Sequence, residues 1–297
     1  GGLWKGMEGM SVLFGPGGNS EDFYADGRKS SLQIPQWLHS LGLTAYEYEC
    51  GHGVRISPDA AEDLGAAAKE FGVALSVHAP YYISLSSEDA EKRKKSVEYI
   101  MQTLTAAHNM GASRIVVHSG SCAKMTRRQA LELAKGTLSH ALEAAKAAGL
   151  DDIFICPETM GKVNQLGNVQ EVMALCSMDE RLLPTIDFGH VNAQTLGGLK
   201  TKEDFEVIFD VMYQKLGAWR ASHFHAHYSR IEYTNSGEKA HRCFEETEFE
   251  PEFDPIAQII AKRDLSPVII CESRGTQTRD ALKMQEIYRN YKEEISV

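Results

Sequence analysis

The chain reads as an α/β protein of the (β/α)8 TIM-barrel class, and three observations support this. Eight short strand-like runs alternate with amphipathic helical stretches along the sequence. The length of 297 residues is close to the roughly 250 usual for such a barrel. No Pro/Ser linker, low-complexity tract or shift in composition divides it. One domain spanning 1–297 is therefore expected, with its site at the C-terminal ends of the strands. A doubly wound sheet is the alternative, but no GxGxxG follows the first strand, and the "GPGG" at 15–18 is too irregular to serve.

The expected strands are 11–15, Ala45–Glu49, 74–79, 114–119, 152–157, 183–187, 222–228 and 267–272, each a short apolar or alternating run. Helical periodicity is clearest over Pro58–Phe71, 87–110, 127–148, Lys202–Leu216 and 279–292. Gly72, Gly111 and Gly149 follow three of these, where a left-handed residue normally ends a helix. "TKED" at 201–204 has the composition of an N-cap and acidic first turn. The stretch 230–252 is long and polar for a connection between strand and helix, which marks it as a functional loop.

Hydrophobic residues make up 43% and charged residues 24%, and no apolar run reaches the roughly 18–20 residues of a membrane helix. No basic-then-apolar leader is read at the start, and Gly1-Gly2 is set aside as a cloning remnant. Cys50, Cys122, Cys156, Cys176, Cys243 and Cys271 are scattered without a CxxC pair, which points to a reducing cytoplasm rather than a disulfide framework. A net charge of −10 excludes a chain-wide electrostatic grip on nucleic acid. It leaves open one face whose sign bound divalent cations would change.

The chemistry collects where the strands end. "LSVHAP" ends on His78, "IVVHSG" on His118 and "ICPETMGK" on Glu158. "TIDFGH" carries Asp187 and His190, "HFHAHYS" carries His225, and "IICES" carries Glu272. One such residue has an ordinary explanation, as a hydrogen-bonded histidine or a carboxylate capping the next helix. Six consecutive strands finishing this way imply a shared site, because in a barrel those ends open onto one face. The mixture of imidazole and carboxylate suits zinc or manganese. Two cations bridged by a carboxylate can hold a nucleophilic hydroxide and clamp a phosphoryl displacement.

His223 and His227 share a strand with His225 and, since one imidazole per strand is enough, are read as structural or supporting. "EKRKK" at 91–95 reads as a solvated helix face. Arg127-Arg128 are either an exposed helix start or a polyanion contact. Tyr81-Tyr82 either stack on a base or roof the barrel. His39, His52, His108 and His140 have no partner in the sequence and are assigned nothing.

"HAPYYISL", "VVHSG", "PETMGKVNQLG", "DFGH", "FHAHYS", the later His241 and "CES" resemble, in order, the motifs of the endonuclease IV family of apurinic/apyrimidinic endonucleases. That family sits within a wider group of barrels similar to xylose isomerase. The resemblance implies a site of two or three zinc ions, or manganese in their place. It implies hydrolysis of double-stranded DNA 5′ to an abasic deoxyribose, with a metal-bridging hydroxide as nucleophile. It assigns His78, His118 and Glu158 to one metal. Asp187, His225 and Glu272 then join Glu158 at a second, and His190 and His241 hold a third. Glu158 and Glu272 become the catalytic carboxylates and Tyr81 the tyrosine that probes DNA. At the third metal the family has an Asp two residues before its second histidine, and here Lys239 stands at that spacing, with Glu238 as the substitute within reach. The alternative is a divalent-metal sugar isomerase or epimerase on the related barrel, with a site built mainly of carboxylates.

Overall fold

The computed structural model describes residues 12–297. Ser11, at the edge of the first expected strand, and Gly1-Gly2 lie outside the described residues. Eight parallel strands form the barrel: β1 (Leu13–Pro16), β2 (Ala45–Glu49), β3 (Ala74–His78), β4 (Arg114–Val117), β5 (Phe154–Pro157), β6 (Thr185–Asp187), β7 (His225–Tyr228) and β10 (Val268–Cys271). Two runs of continuous pairing, β2-β3-β4-β5 and β6-β7-β10-β1, are joined by parallel bridges between Gly17 and Glu47 and between Glu158 and Thr185. These two seams close the cylinder. β8 (Arg230–Thr234) and β9 (Gly237–Arg242) form an antiparallel hairpin after β7, inside the stretch expected as a functional loop.

Alternate residues of each strand face inward and build three tiers. The lowest is apolar, with Leu13, Ala45 and Val268 on one side and Phe154 and Leu183 on the other. Its exception is Arg114, which opens β4 and is 1% exposed. The middle tier mixes Val116, Cys156 and Ile270 with Glu47, Ser76 and His225, all buried. The upper tier is where the strands run out, and it holds the site. Outward residues such as Tyr46, Val77, Ile115, Ile155, Ile186 and Ile269 pack against helical Leu64, Leu104, Leu138 and Phe209 in the main core. Gly15 sits where a Cβ would fall 1.5 Å from the Ala45 carbonyl oxygen, so only glycine lets β1 approach β2 there.

Helices Pro58–Phe71 and Lys202–Leu216 span the expected residues, and 90–110 and 127–147 differ only at their ends. Gly72, Gly111 and Gly149 are left-handed as expected. Helices Ile34–Leu41, Val169–Cys176, Phe188–Gln194 and Asp254–Lys262 were not anticipated, since two turns give too short a period to read. The expected strand 222–228 begins only at His225. Residues Ala218–Ser222 are helical, and His223 follows as the capping residue, its ring stacked 4.4 Å from that of Trp219.

Candidate metal centre

Glu158 is the hub. One oxygen lies 3.1 Å from His78 Nε2 and 3.1 Å from His118 Nε2. The other lies 3.2 Å from His227 Nδ1 and 3.2 Å from His190 Nδ1. His227 Nδ1 is also 3.6 Å from Asp187 Oδ2 and 3.5 Å from Glu272 Oε1. The far nitrogen of each imidazole is held from behind: His78 Nδ1 donates to the Ala79 carbonyl at 2.8 Å and His118 Nδ1 to the Tyr81 carbonyl at 3.2 Å. Such bonds fix the ring and its tautomer, leaving the other lone pair for a ligand.

A further set adjoins this one. Asp187 ends β6 and caps helix Phe188–Gln194, its Oδ1 accepting from the His190 amide at 2.8 Å. Three residues on, His190 shares the helix face with Asp187. Its Nδ1 donates to the Thr159 carbonyl at 2.9 Å, and its Nε2 is 3.4 Å from Glu238 Oε1. His241 Nε2 lies 3.5 Å from Glu238 Oε2. The hairpin that delivers Glu238 and His241 is tied to the Glu158 loop by the Glu238 amide on the Gly161 carbonyl, 2.9 Å, and the Val163 amide on the Ser236 carbonyl, 3.0 Å. Two glycines permit this crossing. A Cβ on Gly161 would meet Glu238 at 2.6 Å, and one on Gly237, where φ is +94°, would fall 2.4 Å from the Gly161 oxygen. Lys239 points away and pairs with Glu232 at 3.1 Å, while Glu238 stands between His190 and His241.

Of the predicted residues, His78, His118, Glu158, Asp187, His190, His241 and Glu272 come together, and His225 does not join them. The sequence reading placed His225 with them, whereas here it lies one tier below, in a donor set with Glu47 and His227. On β7 the residue level with Asp187 is His227, two positions on and therefore on the same face but one tier higher. His225 Nε2 is 2.6 Å from Glu47, and its Nδ1 accepts from Arg114 at 3.3 Å, so both ring nitrogens are used. Glu47 and Glu49 were missed altogether. In "AYEYE" two glutamates in alternation, with tyrosines between, look like a solvent face, whereas here the tyrosines pack outward and the glutamates face the barrel axis.

The electrostatics test whether cations suit this site. Burial pushes Glu272 well above the ordinary carboxylate range, aided by Glu49 and Glu47. For Glu158 burial acts upward too, but facing His227, His118 and His190 hold it well below that range. Burial lowers His78, yet Glu49 and Glu158 outweigh it and lift it to about 10. So many carboxylates at one mouth need positive charge, and without it protons supply it. Two ligand atoms each ~2.1 Å from one ion at a tetrahedral angle lie about 3.4 Å apart, close to the 3.1–3.6 Å separations here. Asp187 Oδ2 is buried without a hydrogen bond. The donors fall into sets with ligand atoms within 4.8 Å of one another, among them His78/His118/Glu158, Glu158/Asp187/His227 and His190/Glu238/His241. The residues fit metal ions.

Residues 35–291 match the family described as the xylose isomerase-like TIM barrel. The chain belongs to that family. An uncharacterized protein of Methanocaldococcus jannaschii is 32% identical over 84% of this chain and 89% of its own length. A probable endonuclease 4 of Acholeplasma laidlawii is 28% identical over 50% of each chain, so the chain spans about half the length of such relatives. Among solved structures, endonuclease IV from Thermus thermophilus superposes with TM-score 0.65 at 18% identity, covering 96% of this chain and 100% of the other. A D-tagatose 3-epimerase-like protein gives 0.66 at 23%, covering 86% and 90%. At those identities the likeness shows the fold alone.

At the rim of this xylose isomerase-like barrel, Tyr81 is 52% exposed and lines the metal cavity, with its hydroxyl 3.1 Å from His52 Nδ1. Arg127 is engaged within the protein. It grips Glu171 at 2.7 and 2.8 Å and donates to the Val163 and Gln165 carbonyls, clamping the loop after Glu158. Residues 91–95 form a largely exposed helix face. Among the described residues no helix is long and apolar enough to cross a membrane.

Proposed function

We propose that the protein is a metal-dependent phosphodiesterase of the endonuclease IV kind, cutting double-stranded DNA 5′ to abasic sites. The observation that carries this reading is Glu158, whose two oxygens belong to two donor sets while a third, built of His190, Glu238 and His241, stands beside them. Three adjoining cation places rich in imidazole suit in-line displacement at phosphorus better than proton transfer on a sugar. Bound zinc or manganese would supply a nucleophile from water at neutral pH and offset charge on the departing oxygen. Glu158 keeps the two sets in fixed register. Glu272, partly open at the mouth, is placed to take the proton from the attacking water. Tyr81 stands beside them as an aromatic surface for the gap left by a missing base. Six unpaired thiols support a reducing cytoplasm as its location.

The reading is tested by nicking of a duplex carrying one tetrahydrofuran abasic analogue, against an intact duplex, with metal-replete protein. Selective incision with two to three zinc or manganese per chain is expected. No incision refutes it. A second reading, a sugar epimerase, is supported by Glu49 and Glu272 both lining a cavity of only about 330 Å³. Exchange of solvent deuterium into a ketohexose, with one metal per chain, would favour it.

A further inference from the structure

Below the metal donors a chain of polar groups crosses the barrel. Arg114 sends Nη2 to the His223 carbonyl at 2.7 Å and Nη1 to His225 Nδ1 at 3.3 Å. His225 Nε2 reaches Glu47 Oε1 at 2.6 Å, and the Ser76 hydroxyl donates to the same oxygen at 2.8 Å. Glu47 Oε2 is 2.6 Å from His227 Nε2. All of these side chains are at most 4% exposed. We propose that Arg114, His225 and Glu47 act as a positioning relay that fixes the tautomer of His227, holding a proton on Nε2 so that Nδ1 is offered to the cation shared with Glu158 and Asp187.

The polarity of the chain is forced from its lower end. Arginine can only donate, so His225 Nδ1 must accept and its proton sits on Nε2. That proton goes to Glu47 Oε1. The other oxygen lies 2.6 Å from His227 Nε2 in ion-pair contact, and neither atom makes a hydrogen bond to any other group. His227 then has one free lone pair, and it faces Glu158, Asp187 and Glu272. Carboxylates behind metal-bound histidines orient the ring and raise its basicity.

Glu47, His225 and His227 also have donor atoms close enough to be read as a cation site of their own. The distances do not suit a shared cation. Both imidazole–carboxylate separations are 2.6 Å, well under the about 3.4 Å expected of two ligands around one zinc, and His225 has no lone pair left. The relay therefore ties a group in the barrel floor to the metal centre through side chains that touch no substrate.

The inference rests on the metal-centre reading, and its test is separate from DNA cleavage. Zinc-loaded protein labelled with 15N-histidine is examined by two-bond 1H–15N correlation. His225 and His227 are both expected to be protonated at Nε2, with His227 Nδ1 bound to metal. In Glu47→Gln, zinc affinity measured against a chromophoric chelator should fall about 10–100-fold, with Ser76→Ala much closer to wild type. Should Glu47→Gln fail to fold, the tautomers of the unaltered protein still decide. The relay is overturned by His227 binding zinc through Nε2, by a zinc held between Glu47 and His225, or by folded Glu47→Gln keeping its affinity within twofold. Zinc uptake with the expected tautomers but no nicking sinks the endonuclease reading alone.

Discussion

The upper and middle tiers of the barrel interior use the same residue types and do opposite things with them. In the upper tier His78, His118 and His190 each have one nitrogen satisfied from behind and one aimed at shared carboxylates, as with His78 on Ala79 and Glu158. One tier down, His225 spends both nitrogens, on Arg114 and Glu47. Burial pushes His225 down to about 4, while His227, two residues along the same strand, is held well above the ordinary histidine range by Glu47 and Glu158 in spite of burial. On the proposed reading, a histidine is offered to metal here through whichever nitrogen its neighbours leave free.

The comparison breaks most readily at its hub. Glu158→Gln should abolish binding in two donor sets at once, a larger loss than the about 10–100-fold cost of removing an outer hydrogen-bond partner. Retention of all cations by inductively coupled plasma analysis would dismantle the picture. Next, His227→Ala should cost more metal affinity than His225→Ala, since the first removes a donor and the second only its support. The reverse ranking by calorimetric titration would restore the original reading of β7. Gly237→Ala should cost on the order of 1–3 kcal/mol from backbone strain, and should loosen only the cation place of His190, Glu238 and His241. Chemical denaturation and metal counting report the two effects separately.

pH offers a smaller, graded test. His78, at about 10 in the folded metal-free protein, and His190 and His227, also raised, contribute stability that is fully present below the unfolded value of about 6.5. That contribution is lost as pH climbs through the folded values. The melting temperature of metal-free protein should therefore fall from pH 6.5 to 10. Zinc-loaded protein, whose imidazoles are already deprotonated, should decline less. Smallest of all, Lys239→Ala should leave cation number unchanged, because that ammonium is exposed and pairs with Glu232.

The sequence discloses the barrel well because strand-and-helix alternation and glycine helix ends are local signals. It discloses His78, His118, Glu158, Asp187 and Glu272 for a related reason: each is the one ligand-type residue where its strand stops. "HFHAHYS" is ambiguous for a different reason. His225 and His227 lie on one face in any register, and which of them clears the rim depends on the stagger of β7 against β6, a property of the closed cylinder. Glu47 and Glu49 stay hidden because nothing local says which side of β2 faces the axis. Glu238 is legible only as a candidate, since its reach depends on Gly161 and Gly237 letting two excursions touch.

That contact has a consequence for the order of assembly. Most donors of the first two places stand on or just beyond the barrel strands, whose geometry is set once the cylinder closes. Glu238 and His241 sit on a hairpin braced against the segment that carries Glu158. On the proposed reading, occupancy at the hub should stiffen the strut on which the outlying pair depends, and the centre should fill from the inside outward.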